Sequence, residues 1–248
     1  MGLSDEPSSS LLSLGYHHIR RRQVVFRLIE EKLRLKKAET LVCDVGCGDG
    51  WYTIPLKEHG YSVVGIDVSK KSLKRVKVIV ENIDVVRGDV NFMPFKKSVF
   101  HLVVCAQLLE HVLSPFRVVG ECKRITGKGN FLLFEVPSKS NILDFMVKKL
   151  LRLNHAPWTT WGLTIDPSHL HFFSQEELLK IFSANELDIM EIKGAIALRY
   201  ALPGLSAMFF DRKKRWWVFL DVIESIISSI PILNRLGAIQ TFLLRNPK

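Results

Sequence analysis

The sequence predicts an α/β fold, a mostly parallel sheet with helices on both faces. Three observations predict it. From residue 40 onward, short apolar runs alternate with helical stretches at a spacing that suits strands joined by crossover helices. The runs are continuously apolar rather than alternating, as strands buried on both faces require. A glycine-rich turn joins the first run to the first helix. Composition agrees: 47% of the 248 residues are hydrophobic and 24% are charged, which excludes a disordered or collagen-like chain.

The elements follow in order. Residues 1–15 hold Asp5, Glu6, Pro7 and a serine run and predict a flexible tail; no secretory leader is visible there. Residues 16–37 predict a basic amphipathic helix, where eight Lys/Arg against Glu30 and Glu31 give a net +6. Strands are predicted at 41–45, 62–67, 84–89, 99–106, 130–136, 188–195 and 238–246. Helices are predicted at 51–59, 69–80 (opened by Ser69), 114–124 (Pro115 in its first turn) and near 141–152. Ser174 with Glu177 three places on is a capping box, opening a helical stretch over 174–187. Residues 154–169 form a loop rich in aromatics and proline, and 203–235 a tryptophan-bearing helical insertion. With no repeat and no linker, 16–248 is one domain. The best membrane-span candidate, 216–233, is broken by Asp221, Glu224 and Pro231.

Charge and cysteines narrow the function. The net charge of +10 favours anionic partners. Cys43, Cys47, Cys105 and Cys122 contain no Cys-x-x-Cys pair, so neither a disulfide framework nor a structural zinc site is expected. Reduced thiols suit a cytoplasmic protein. Arg212, Lys213, Lys214 and Arg215 precede Trp216 and Trp217 at the start of a helix, where cations oppose the macrodipole. An external anion would explain them, which points to peripheral contact with anionic membrane through 212–230. The alternative is a helix packed over the site with an exposed basic tip. Nucleic acid is disfavoured because no stacking aromatics interleave with the cations.

The strongest signal is Asp44-Val45-Gly46-Cys47-Gly48-Asp49-Gly50, between a strand and a helix. Glycines there let the backbone approach a ligand, and the helix start offers N–H groups to an anion. Asp67 ends the second strand, placed to accept two ribose hydroxyls, and Gly88-Asp89 ends the third, placed to receive an adenine amino group. Three acids at the carboxyl ends of consecutive strands describe a nucleoside site. A dinucleotide fingerprint wants a third glycine where Trp51 stands, which argues against an NAD-type oxidoreductase.

The stretches LVCDVGCGDGWYTIPL, VVGIDVS, VVRGDVNFMPF, HLVVCAQLLEHVLSP, FLLFEVPS and HLHFFSQEELLKIF resemble the class I S-adenosylmethionine-dependent methyltransferases, specifically the type 11 methyltransferase-domain family. The resemblance covers roughly residues 40–195. It implies a Rossmann-like, doubly wound, seven-stranded sheet whose last strand is antiparallel, with S-adenosylmethionine as cofactor. It implies that Asp44, Gly46, Cys47, Gly48 and Gly50 hold the methionine part. Asp67, beside Val68, would take the ribose, and Asp89 with Val90 the adenine. Ala106 and Gln107 would meet the amino group. The family often has Asp where this chain has His101.

For the chemistry, the candidate bases are Glu110, His111, His155, Asp166, His169 and His171, with the histidines His111, His169 and His171 favoured. Glu110-His111 also reads as a pair anchoring the turn after the fourth strand, and His169 and His171 as a pair lining a loop corner. Some O-methyltransferases of this superfamily bind a divalent metal through Glu-x-x-Glu-His. Here Gln107 replaces the first acid, so no metal is expected. The expected reaction is methyl transfer to a small, amphipathic or lipid-like acceptor, on oxygen first, with carbon or nitrogen as the alternatives. The rival is a non-catalytic cofactor-binding or membrane-associated scaffold.

Overall fold

The computed structural model describes residues 16–138, 168–195 and 239–247. The expected tail 1–15, the helix near 141–152, most of the 154–169 loop with His155 and Asp166, the 203–235 insertion and the basic 212–230 helix lie outside the described residues.

The seven strands are β1 (Leu41–Val45), β2 (Ser62–Asp67), β3 (Asp84–Arg87), β4 (Phe100–Ala106), β5 (Thr126–Pro137), β6 (Asp188–Ala195) and β7 (Ile239–Arg245). They form one sheet in the order β3-β2-β1-β4-β5-β7-β6. β1, β2, β3, β4 and β5 pair in parallel. β7 runs antiparallel between β5 and β6, as expected of the last strand. The helices are α1 (Tyr16–Arg27), α2 (Thr53–Glu58), α3 (Lys70–Ile79), α4 (Pro115–Ile125) and α5 (Gln175–Ala184). This is the Rossmann-like doubly wound fold.

Strand periodicity assigns the two cores. Val42, Leu102, Val104, Leu133 and Leu243 face α1 and α2, packing against Val25, Ile29 and Leu56. Their neighbours Cys43, Val103, Cys105, Leu132, Phe134 and Phe242 face α4 and α5, packing against Val118, Cys122 and Phe182. The Phe182 ring lies 5.1 Å from Phe134 and 5.2 Å from Phe242, centroid to centroid.

Several boundaries differ from expectation. The 16–37 helix is shorter: α1 ends at Arg27, a π-helical turn follows over Leu28–Leu33, and Arg34 takes a left-handed conformation (φ 47°) that stops it. β3 ends at Arg87, so Gly88 and Asp89 stand beyond the strand. β5 starts at Thr126, earlier than its apolar run, because the chain passes straight from α4 into pairing with Phe100. His101 replaces the family's acid by accepting the Leu41 N–H on Nδ1 at 3.0 Å, which ties the starts of β1 and β4 together.

Candidate cofactor and acceptor site

The site gathers at the carboxyl edge of the sheet, where β1 and β4 diverge in connection. The turn after β1 is anchored first: the N–H groups of Gly46 and Cys47 both donate to the Ile66 carbonyl, at 2.8 and 3.1 Å. Gly46, Gly48 and Gly50 all have positive φ, 72°, 48° and 85°. Their surroundings separate their roles. A Cβ on Gly46 would meet Leu108 at 2.8 Å, and one on Gly50 would meet Ile54 at 2.9 Å. One on Gly48 would meet nothing within 4 Å. Only Gly48 therefore faces open space. Gly65 in β2, which the sequence reading missed, completes the turn from below: a Cβ there would meet Cys47 Sγ at 2.9 Å. Its signal was a glycine inside an apolar strand run, a mark of close backbone approach.

The acids differ in situation. Asp44 is buried, and its Oδ2 accepts from the Thr53 hydroxyl at 2.5 Å. It holds Thr53, the first residue of α2, and burial pushes its carboxyl up to about 6 against the hydrogen bonds from Thr53. Asp67 binds the turn directly. Its Oδ2 accepts from Gly48 N–H and its Oδ1 from Ser69 N–H, both at 2.8 Å. Val68 beside it is 67% exposed, an apolar platform at the rim. Asp89 is exposed, while Val90 is buried. The Asn91 backbone and side chain donate to Asp89 Oδ1 at 2.8 and 2.9 Å and hold its carboxyl below the usual range. The Gly88 N–H donates to the Asp67 carbonyl at 3.1 Å, joining the ends of β2 and β3.

Across the turn, Ala106 ends β4 and Gln107 adopts φ 51° with its N–H on the Glu135 carbonyl at 2.7 Å. Gln107 Nε2 is buried without a partner. Glu135 is fully buried in β5 and accepts from Tyr52 Oη at 2.9 Å and from Arg21 Nε at 2.9 Å. The basic N-terminal helix is thus pinned to the sheet beside the site by the Arg21–Glu135 ion pair. Nothing in the sequence marked Arg21 among its neighbouring cations.

The histidines divide as well. Glu110 and His111 lie on a short 3-10 turn, Leu109–His111, after β4. The Glu110 carbonyl accepts from the N–H groups of Leu170 (2.7 Å) and His171 (3.1 Å), so the segment from Ser168 is held against this turn. Ser168 Oγ lies 3.0 Å from His111 Nδ1. The His111 and His169 rings meet edge to face at 4.6 Å. One ligand-type atom from each of Glu110, His111 and His169 lies within 4.8 Å of the others. His171 points elsewhere, stacked on Phe173 at 5.5 Å with its Nε2 buried and unpartnered. Both Glu110 oxygens are buried without a partner, and burial pushes the carboxyl up to about 7.

A family model described as a methyltransferase domain matches residues 16–192. The chain belongs to the methyltransferase-domain family. The site fits the S-adenosylmethionine that the family resemblance implies: an open cradle at Gly48, carboxyl groups near the ends of β1 and β2 and just beyond β3, and an unpartnered amide at Gln107. The chain is 31% identical over 121 residues to a ubiquinone biosynthesis O-methyltransferase of Coxiella burnetii, a match covering 47% of this chain and 51% of that protein. It therefore spans about half the length of that relative. An uncharacterized methyltransferase of Bacillus subtilis is 27% identical over 164 residues, covering 63% of this chain and 60% of that one. In fold, the chain is similar to magnesium protoporphyrin IX methyltransferase of Synechocystis with bound SAH, at 16% identity and a TM-score of 0.58 over 98% of this chain and 90% of that one. No helix among the described residues is long and apolar enough to cross a membrane.

Proposed function

We propose that the protein methylates a hydroxyl oxygen of a small amphipathic acceptor. The observation that carries this reading is the buried Glu110 carboxylate, unpartnered beside His111 and His169 at the end of β4. When bound, S-adenosylmethionine supplies an electrophilic methyl group on a sulfonium that leaves as a neutral thioether. Asp67, Asp89 with Val90, Gly48 and the Ala106–Gln107 backbone would hold its nucleoside and methionine parts, while Asp44 keeps the turn in shape. The chain's remaining task is to align the acceptor and take its proton. Glu110, raised to about 7 by burial, is matched to that task near neutral pH, with the two imidazoles beside it. His171 supports the same segment through its stack on Phe173.

The rim favours an acceptor with an apolar body. Leu113, Leu170 and Phe172, close in sequence to His111 and His169, are 87%, 52% and 49% exposed, and Phe116 in the first turn of α4 is 53% exposed. A relative named for ubiquinone biosynthesis is consistent with such an acceptor. Peripheral membrane contact through 212–230 belongs to this reading too. The described chain leaves the sheet at Ser138 and Ala195 and returns at Ser168 and Ile239, all at the edge that holds the site.

A second reading has its own support. The Glu110–His111–His169 spacing also suits a divalent cation, which would orient and acidify the hydroxyl. The experiment is turnover of labelled S-adenosylmethionine with phenolic acceptors that carry or lack an alkyl tail, before and after EDTA. Methyl ether formation that favours the tailed phenol and survives EDTA supports the first reading. Loss on chelation with recovery on manganese establishes the second. Exclusive methylation of amine acceptors would overturn both.

A further inference from the structure

We propose that the outer face of α3 is a docking surface for an anionic lipid bilayer. The helix has ten residues, Lys70–Ile79, and five are cationic: Lys70, Lys71, Lys74, Arg75 and Lys77. None is acidic. All five are exposed. Arg75 is paired, with Asp49 at 2.5 Å, and the four lysines make no ion pair among the described residues. Glu81 and Asp84 follow beyond the helix end, and Arg87 adds a cation near its start by donating to the Val68 carbonyl at 3.1 Å.

Neither folding nor helix electrostatics accounts for this face. Leu73 and Val76 anchor α3, with Val76 packing against Ile54 and Ile83. Lys70 and Lys71 occupy the first turn, where the macrodipole favours acids, and no acid stands there. At helical spacing Lys70, Lys74 and Val78 share one row, with Lys71 and Lys77 flanking it. Val78 is 87% exposed, and Ile79 beside it is 43% exposed. An exposed β-branched aliphatic side chain at the end of a lysine row is a poor solvent surface. It suits an interface where lysine heads meet phosphate and the apolar group enters the headgroup boundary.

Nucleic acid would use the same cations, but α3 carries no aromatic side chain on which a base could stack, and an exposed valine adds nothing to phosphate binding. The bilayer is therefore the occupant that uses both features. This inference does not rest on the identity of the methyl acceptor, and it concerns residues other than 212–230.

The test is co-sedimentation of the full chain with phosphatidylcholine vesicles, alone or containing phosphatidylserine. A Lys near an anionic leaflet is worth about 1 kcal/mol, or about fivefold in partitioning. The combined K70Q, K71Q, K74Q and K77Q variant, with Arg212–Arg215 intact, should lose at least about tenfold after salt screening. Val78→Ser should weaken vesicle binding and leave binding to a DNA duplex unchanged. The combined Lys→Arg variant should bind as the wild type does. Unchanged S-adenosylhomocysteine affinity in each variant reports a folded domain. Equal binding to both vesicle types, wild-type partitioning of the quadruple Gln variant, or duplex binding without vesicle binding would overturn the proposal.

Discussion

Asp67 accepts the Gly48 N–H at 2.8 Å, so the carboxylate that ends β2 and the one glycine of the turn that faces open space are a single unit. A ligand that engages one feels the geometry of the other. Asp67→Ala therefore removes the strut that shapes the cradle together with the proposed ribose contact. Hydrogen bonds to a charged group are worth about 1.5–3 kcal/mol each. The dissociation constant for S-adenosylhomocysteine should rise at least about tenfold, while the melting temperature moves little because Asp67 is only partly buried.

The three glycines should part company. Gly46→Ala and Gly50→Ala place a methyl 2.8 Å from Leu108 and 2.9 Å from Ile54, on top of a positive φ. Each should cost about 2–3 kcal/mol in urea unfolding, combining overpacking with backbone strain. Gly48→Ala meets no atom within 4 Å and should cost about 1–2 kcal/mol of strain alone. Its larger effect should be on cofactor affinity, since the new methyl fills the cradle.

Glu135→Gln should loosen the N-terminal helix. The variant leaves Arg21, 12% exposed, without its carboxylate, and breaking one side of a buried pair costs about 3–5 kcal/mol. Limited proteolysis within 16–27 should accelerate, and cofactor binding should weaken through Tyr52, whose hydroxyl donates to the same carboxylate next to the turn.

Glu110 gives a pH signature. Its folded value of about 7 lies above the ordinary 4.5, so the folded state holds this proton more tightly than the unfolded chain does. Stability from this group is full below the ordinary value and falls as pH rises toward 7, by at most about 3 kcal/mol. In Glu110→Gln that slope should vanish, so the variant gains on the wild type from pH 4.5 to 7 in denaturant titrations. Wild-type turnover should rise through pH 7 as the carboxylate forms, and the variant should lose that limb.

How far the sequence carried depended on where the determining contacts lie. β1 and β2 match their apolar runs end to end because strands buried on both faces need continuous hydrophobicity. The capping box at Ser174 and Glu177 is present as read, being wholly local. The start of β5 was hidden because Thr126-Gly-Lys-Gly has little strand character; its N–H and carbonyl partners come from Phe100 and Asn246, distant in sequence. The glycine turn was legible, but the division of labour inside it was not, since Leu108 and Ile54 decide which glycines are packed. Likewise His169 and His171 alternate along one extended segment, and only the hydrogen bonds to the Glu110 carbonyl show which ring turns toward His111. Arg21 was one cation in a run until Glu135, 114 residues away, selected it.

The most direct test of the account is calorimetric titration of the full chain with S-adenosylhomocysteine and, separately, with NAD. The turn with Trp51 in place of a third glycine, the Asp67–Gly48 strut and Asp89 just beyond β3 predict saturable binding of S-adenosylhomocysteine at one site, weakened by Asp67→Ala, and no heat with NAD. Tight NAD binding with no response to S-adenosylhomocysteine would contradict it.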